Sequence, residues 1–184
     1  MEQLRMKKTD GLRAGDSLPG GYSFVTHSDE YTGRWIELID GSIGSGWTAE
    51  GFAKEMLNRD GISPCGIFYI LHDNIKIIAT ATGVVGSGGT GTLHMVAIDE
   101  SFRGKRLSAP LCARAINYLY DKKMSDIELT TDDFRIPAIK TYLKLGFIPV
   151  VRDETTAKRW MDVAARANIE RLPVTEGGEN YEKA

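Results

Sequence analysis

Arg103-Gly104-Lys105-Arg106-Leu107-Ser108 is the stretch on which the fold turns. Before it runs Thr92-Leu93-His94-Met95-Val96-Ala97-Ile98, apolar and β-branched, which predicts a strand. After it, Leu107, Leu111, Ala115 and Leu119 recur at helical spacing, and Cys112, Ile116 and Tyr120 widen the same stripe. The basic segment is therefore a strand-to-helix junction. The first N–H groups of a helix lack intrahelical partners, and the helix dipole is positive at that end. With Arg103, Lys105 and Arg106 added, the junction suits a phosphorylated ligand. Taken alone, such a segment is more often a solvated loop. Pro110 fits either reading, because a missing N–H costs little in a first turn.

Working outward, Tyr22-Ser23-Phe24-Val25-Thr26 alternates like a strand. Ser28 or Asp29 can cap a helix carrying Trp35, Ile36, Leu38 and Ile39, which Gly41 ends. Thr48 can cap a second helix with Phe52, Met56 and Leu57 inward. Residues 67–71 and 75–81 are strands joined by the turn His72-Asp73-Asn74, and the glycine-rich stretch 86–91 reads as a hairpin loop. Beyond the long helix come a strand at 127–131 and a helix at about 136–145, started by Asp132 or Asp133 and stopped by Gly146. A strand at 147–151 and a helix at 155–167 follow, and Leu172-Pro173-Val174 is a candidate short strand. Short turns imply antiparallel pairing among the middle strands, and the long helix implies a parallel crossover. The expected class is α/β (α+β): a mixed, mostly antiparallel central sheet flanked by helices on both faces. Residues 1–17 are expected to be a disordered N-terminal segment, 18–168 a single domain and 169–184 a tail.

Among 184 residues, 42% hydrophobic and 26% charged with net charge −2, nothing favours nucleic-acid or membrane binding, so the basic loop is a local feature. Cys65 and Cys112 read as small buried hydrophobes of a reducing compartment, not as a disulfide or a metal site. The N-terminus has no apolar run behind it, so a cytoplasmic protein is expected. His27 and His72 fall in turns and are expected to be solvated.

A second motif lies downstream. Ala138, Tyr142, Gly146 and Phe147 stand in the order A-x-x-x-Y-x-x-x-G-F, and residues 98–108 resemble a strand-entered R/Q-x-x-G-x-G/A pattern in which Arg106 and Ser108 replace the two small residues. Together they resemble the signatures of the GNAT superfamily of acyl-CoA-dependent N-acyltransferases. The resemblance is specific over 92–151, topological over 18–91 and absent from about 152. It implies that backbone groups of Val96, Ala97 and Ile98 pair with the pantetheine arm of acetyl-CoA. It implies likewise that N–H groups of Arg103, Gly104, Lys105, Arg106, Leu107 and Ser108 hold the pyrophosphate, and that Tyr142 serves the CoA sulfur. Arg106 stands where the motif has its first glycine; a helical backbone there tolerates arginine, whereas a positive φ requires a rearranged loop. Arg135 stands where the family often has an asparagine contacting pantetheine or substrate.

The activity so implied is transfer of an acetyl group from acetyl-CoA to the amine of a small molecule or peptide, without a metal. The alternative is a catalytically inactive acyl-CoA-binding sensor on the same fold. Tyr31, Trp35 and Trp47 are candidate acceptor contacts, as are Asp132 and Asp133 for a cationic acceptor. A homodimer is left open. The amine must lose a proton, and His94 is the only histidine in a predicted strand. Alternation places it on one face with Thr92, Val96 and Ile98. Glu128, on the adjacent predicted strand, and water are the other candidate bases.

Overall fold

The structure is a computed structural model that describes residues 2–170 and 172–176. In chain order the elements are β1 (Leu4–Lys8), β2 (Tyr22–Thr26), α1 (Thr32–Asp40), α2 (Ala49–Phe52, continued by a π-helical stretch over Ala53–Leu57), β3 (Ile67–His72), β4 (Lys76–Val85), β5 (Thr90–Ile98), α3 (Ser108–Asp121), β6 (Asp126–Thr131), α4 (Ile136–Lys144), β7 (Ile148–Val151), α5 (Glu154–Ala167) and β8 (Thr175–Glu176). The class is α/β with mixed, mostly antiparallel strands. The chain forms two compact units, Gly11–Ile127 and Met1–Asp10 with Glu128–Ala184, each described by itself.

In the larger unit β2, β3, β4 and β5 pair antiparallel in that order. The turn between β3 and β4 puts Asp73 and Asn74 at positive φ, the conformation a tight hairpin needs. One face of the sheet carries Ile67, Tyr69, Leu71, Ile77 and Ala97, packed against Trp35, Leu38, Ile39, Phe52 and Met56 of α1 and α2. The other face receives α3, whose Tyr118 ring meets Phe68 edge-on at 5.7 Å. Leu111, Cys112, Ala115, Ile116 and Leu119 are all buried, as the helical stripe requires. Cys112 behaves as the small hydrophobe expected, its thiol pushed up to about 12 by burial. Cys65, by contrast, is exposed: it sits in a short 3-10 turn before β3, outside the strand's buried register. His27 departs in the opposite sense. Its side chain is 2% exposed, with Nδ1 2.9 Å from the Tyr69 hydroxyl, and burial lowers its pKa.

In the smaller unit the strand order is β6-β1-β7-β8, with β1 antiparallel and β8 parallel to β7. Residues 4–8, expected to be disordered, are thus a strand, with Met6 opposite Pro149 and Leu4, Met6 and Lys8 all buried. Lys8 is buried at 2% exposure because Asp10 pairs with its ammonium. In place of the short strand expected at 172–174, a two-residue strand directly follows that stretch, as β8. The remainder of the expected tail is outside the described residues.

The end of α4 explains the second sequence motif. Phe147 N–H donates to the Tyr142 carbonyl and Gly146 N–H to the Leu143 carbonyl, both at 3.0 Å, with Gly146 at φ 89°. This is a Schellman cap, in which the residue past the glycine also packs on the helix. Here that contact is Phe147 against the Tyr142 ring, 6.0 Å between centroids. Tyr142, Gly146 and Phe147 are spaced as they are because this helix stop needs them there. α5 begins with a capping box between Asp153 and Thr156 and ends at Asn168 in the left-handed region.

Candidate active site

In the larger unit β5 leads into the basic loop, and it does so through a β-bulge. Thr82 faces His94 and Thr80 faces Ala97, so between these pairs one residue of β4, Ala81, stands against two of β5, Met95 and Val96. The extra residue is accommodated at Met95, which has φ 50°. A bulge reverses the alternation beyond it. His94 therefore shares its face with Thr82, Thr80 and Ala97, toward the α1 and α2 core, while Ile98 pairs with Ala79 on the α3 face. The expectation that His94 and Ile98 share a face is overturned by this one inserted residue. The ladder is interrupted at Val96, one of the residues whose backbone the resemblance assigns to pantetheine.

The loop after β5 is anchored at Asp99. Its Oδ1 accepts from Ser101 N–H at 3.1 Å, capping a 3-10 turn over Glu100–Phe102. Arg34 bonds its other oxygen, and the Lys76 ammonium lies 3.4 Å away. Burial pushes the Asp99 carboxyl up, but the Ser101 N–H, Arg34 and Lys76 outweigh it and hold the group below its usual range. Beyond this anchor Gly104 has φ 78° and Arg106 φ 60°. No atom lies within 4 Å of where a Gly104 Cβ would stand, so glycine is there for its backbone and not for want of room. Arg106 holds a positive φ with a full side chain, an arrangement arginine adopts only at some cost.

Leu107 is buried and α3 starts at Ser108, with no side-chain cap at its N-terminus. Arg103, Lys105 and Arg106 are exposed around that helix end. Arg103 lies 3.7 Å from Glu100, and Lys105 sits 5.2 Å from the centre of the Phe102 ring. Three cations and an uncapped 14-residue helix make this loop strongly attractive to an anion.

His94 is half-buried in the same unit. Its Nε2 accepts from Arg59 Nη1 at 3.4 Å, since a guanidinium can only donate. Burial and the Arg59 charge push its pKa down to about 4, so the imidazole is neutral at pH 7. Sequence reasoning missed Arg59 altogether; it stands 35 residues before His94, and no local pattern marks it. Trp35 is fully buried, with Trp47 edge-on at 4.9 Å and Phe52 at 4.7 Å, so it is a core residue and not a pocket wall. Trp47 and Tyr31 are partly buried beside that core, Tyr31 against Tyr69 at 5.6 Å.

The other expected site residues lie in the smaller unit. Tyr142 is 7% exposed. Neither Asp132 nor Asp133 caps α4, whose N-cap is Arg135. Asp132 instead pairs with Arg135 at 2.9 Å and accepts from Gln3 at 3.0 Å. Asp133 receives both Nε and Nη2 of Arg159, which hold its carboxyl below the usual range. Both aspartates thus have arginine partners, and Arg135 is tied down at the head of α4. Glu128 pairs with Arg5. Among the described residues no cluster of three or more histidine, cysteine or carboxylate side chains could hold a metal, and no helix is long and apolar enough to cross a membrane.

Residues 28–147 match the family model described as the acetyltransferase (GNAT) family. The chain belongs to the GNAT family. Mycothiol acetyltransferase of Tsukamurella paurometabola is 27% identical over 117 residues, 55% of this chain and 38% of that protein. The GCN5-related N-acetyltransferase from Sphaerobacter thermophilus superposes with a TM-score of 0.65 at 18% identity, over 80% of this chain and 47% of its own. One from Kribbella flavida gives 0.59 at 19%, over 80% and 54%. At those identities the two structures speak to the fold alone. The chain spans about two-fifths of the curated relative's length and about half of each of these structures.

Proposed function

We propose that this GNAT protein transfers an acetyl group from acetyl-CoA to the amine of a small molecule or peptide. The observation that carries the reading is the loop at 103–108: a basic, exposed turn with two positive-φ residues that delivers a bulged strand to an uncapped helix N-terminus. In this reading the N–H groups of the loop hold the diphosphate, with Arg103, Lys105 and Arg106 compensating its charge. Backbone groups of Val96, Ala97 and Ile98 take the pantetheine arm as an added strand.

The chemistry is acyl transfer. The unprotonated amine attacks the thioester carbonyl carbon and forms a C–N bond. Its surplus proton passes to a base, the tetrahedral intermediate collapses, and the C–S bond breaks. The sulfur leaves as a thiolate and takes a proton from the Tyr142 hydroxyl, which solvent then restores. His94 is the base in this scheme. It is neutral at pH 7 and able to accept a proton, but its Nε2 lone pair is engaged by Arg59. Arg135, Trp47 and Tyr31 are the remaining assigned contacts, the first to the cosubstrate and the others to the acceptor.

Thiol release from acetyl-CoA, measured with a panel of amines beside simple acetyl-CoA binding, tests the proposal. Amine-dependent release together with an N-acetylated product supports it. Binding without release would make the protein an acyl-CoA sensor, and no binding would overturn the reading.

A further inference from the structure

Arg59 has an unusual position for a cation. It sits in the turn that follows the π-helical stretch Ala53–Leu57, between Leu57 and Ile62, which both pack against the core. That turn is locked onto the end of β4. Val85 N–H donates to the Gly61 carbonyl at 2.8 Å, and Gly61, at φ 81°, comes so close that a Cβ would stand 2.0 Å from the Val85 carbonyl oxygen. Only glycine permits this approach. The guanidinium is thereby held over β5 at His94.

Asp60 follows Arg59 in the chain, yet among the described residues no carboxylate lies within ion-pair distance of the guanidinium. Arg34, Arg135 and Arg159 each have a carboxylate within ion-pair distance. Arg59 has none among the described residues; its polar contact is a neutral imidazole. Arg106, in the loop assigned to the diphosphate, likewise has none. On the same face as His94, directly opposite it, the Thr82 hydroxyl is buried with no hydrogen-bond partner in the structure. An exposed guanidinium and a half-buried imidazole thus meet at 3.4 Å beside the bulge, and the residue paired with His94 on β4 carries a buried, unpartnered hydroxyl.

We propose that Arg59 binds an anionic group carried by the acceptor, so that this enzyme acetylates amines that also bear a carboxylate or a phosphonate-like anion. The inference rests on the acetyltransferase reading and names the substrate class it leaves open. It replaces the cationic acceptor expected from Asp132 and Asp133, whose charges are taken up by Arg135 and Arg159. It also supplies what His94 lacks. An anion that draws the guanidinium away from Nε2 exposes the lone pair that must take the proton. It also cancels the positive charge that a protonated His94 would otherwise face, the smaller of the two causes that lower its pKa, while burial, the larger, remains.

The test uses the full chain with acetyl-CoA and three acceptors of similar length: β-alanine, 2-aminoethylphosphonate and β-alaninamide. Thiol release is read at neutral pH and referred to the unprotonated amine. Wild type is expected to favour one or both anionic members by about tenfold or more in kcat/KM, the range of a charged hydrogen bond. Arg59→Gln closes the gap by raising KM for the anionic members, and Arg59→Lys recovers part of it. Which anionic member leads distinguishes a carboxylate from a phosphonate partner. Equal or better use of the amide by wild type overturns the proposal. So does an Arg59→Gln variant that loses all three acceptors alike, or one that weakens acetyl-CoA binding, because the cation then serves the fold or the cosubstrate. If none of the three turns over, the His94 ring is titrated by NMR in acetate. An upward shift in wild type that is absent in Arg59→Gln supports the site, and no shift overturns it. Failure of acetyl-CoA to bind at all is a separate result, which sinks the acetyltransferase reading itself.

Discussion

Replacing Arg106 with glycine separates the backbone role of that position from its charge. At φ 60° the side chain sits in the left-handed region, which costs a non-glycine residue roughly 1–2 kcal/mol. Glycine removes that strain but brings more unfolded-chain entropy, worth about 0.5–1 kcal/mol. Arg106 is exposed and has no carboxylate partner among the described residues, so little else is lost in the unliganded protein. The expected net effect of Arg106→Gly is a gain of about 0.5–1 kcal/mol, or about 1–4 °C in Tm for a chain of this size. Arg106→Ala keeps the strain and removes the charge, so it should show no such gain. If Arg106 also touches phosphate, both variants should bind acetyl-CoA about tenfold more weakly in a calorimetric titration, the lower range for a hydrogen bond to a charged group. Thermal unfolding without ligand reads the first effect and the titration reads the second. A lower Tm for Arg106→Gly would refute the strain argument, and unchanged affinity in both variants would remove Arg106 from the diphosphate site.

His94→Gln should flatten the loss of stability in mild acid. The native imidazole titrates near 4 and the unfolded one near 6.5, so the unfolded chain binds a proton first. The stability involved is fully present above about pH 6.5 and is lost progressively as pH falls toward 4, up to roughly 3 kcal/mol in wild type and none of it from Gln. Urea denaturation across that window checks it, and parallel wild-type and Gln curves would contradict it. Tyr142→Phe should lower kcat more than it changes acetyl-CoA affinity, because the hydroxyl is assigned to the leaving thiolate and acts in the transition state. Normal turnover in steady-state assays would make Tyr142 only the packing partner of Phe147. Gly104→Val should weaken acetyl-CoA binding, because φ 78° is a strained backbone for a β-branched residue whatever the space around it; a titration matching wild type would show that the loop tolerates the change.

The junction at 103–108 was legible because its two neighbours carry strong periodic signals: an apolar strand, and a helix whose stripe runs from Leu107 to Leu119. The second motif was legible for a reason the sequence alone did not state. Tyr142, Gly146 and Phe147 are fixed by one helix cap. Three features stayed hidden. The strand at Leu4–Lys8 ends in a buried lysine that reads as surface until Asp10 is seen beside it. The bulge depends on Met95 adopting a positive φ, for which methionine has no preference, yet it decides which way His94 and Ile98 face. The partners of His94, Asp133 and His27, namely Arg59, Arg159 and Tyr69, are distant in sequence, and such ion pairs and hydrogen bonds leave no periodic trace. Asp132 and Asp133 had the right chemistry for an N-cap, but the neighbouring Arg135 and the distant Arg159 claimed them first.

Thermal unfolding in the presence of acetyl-CoA tests the central claim most directly. A ligand that binds only the native protein adds about 2.7 kcal/mol at a hundredfold excess over its Kd, which should raise Tm by about 5–10 °C here and continue to rise with concentration. Desulfo-CoA, which keeps the diphosphate and pantetheine but lacks the thioester, should raise it as well, because the loop at 103–108 is assigned to the part the two molecules share. An unchanged Tm with both ligands at millimolar concentration would contradict the account.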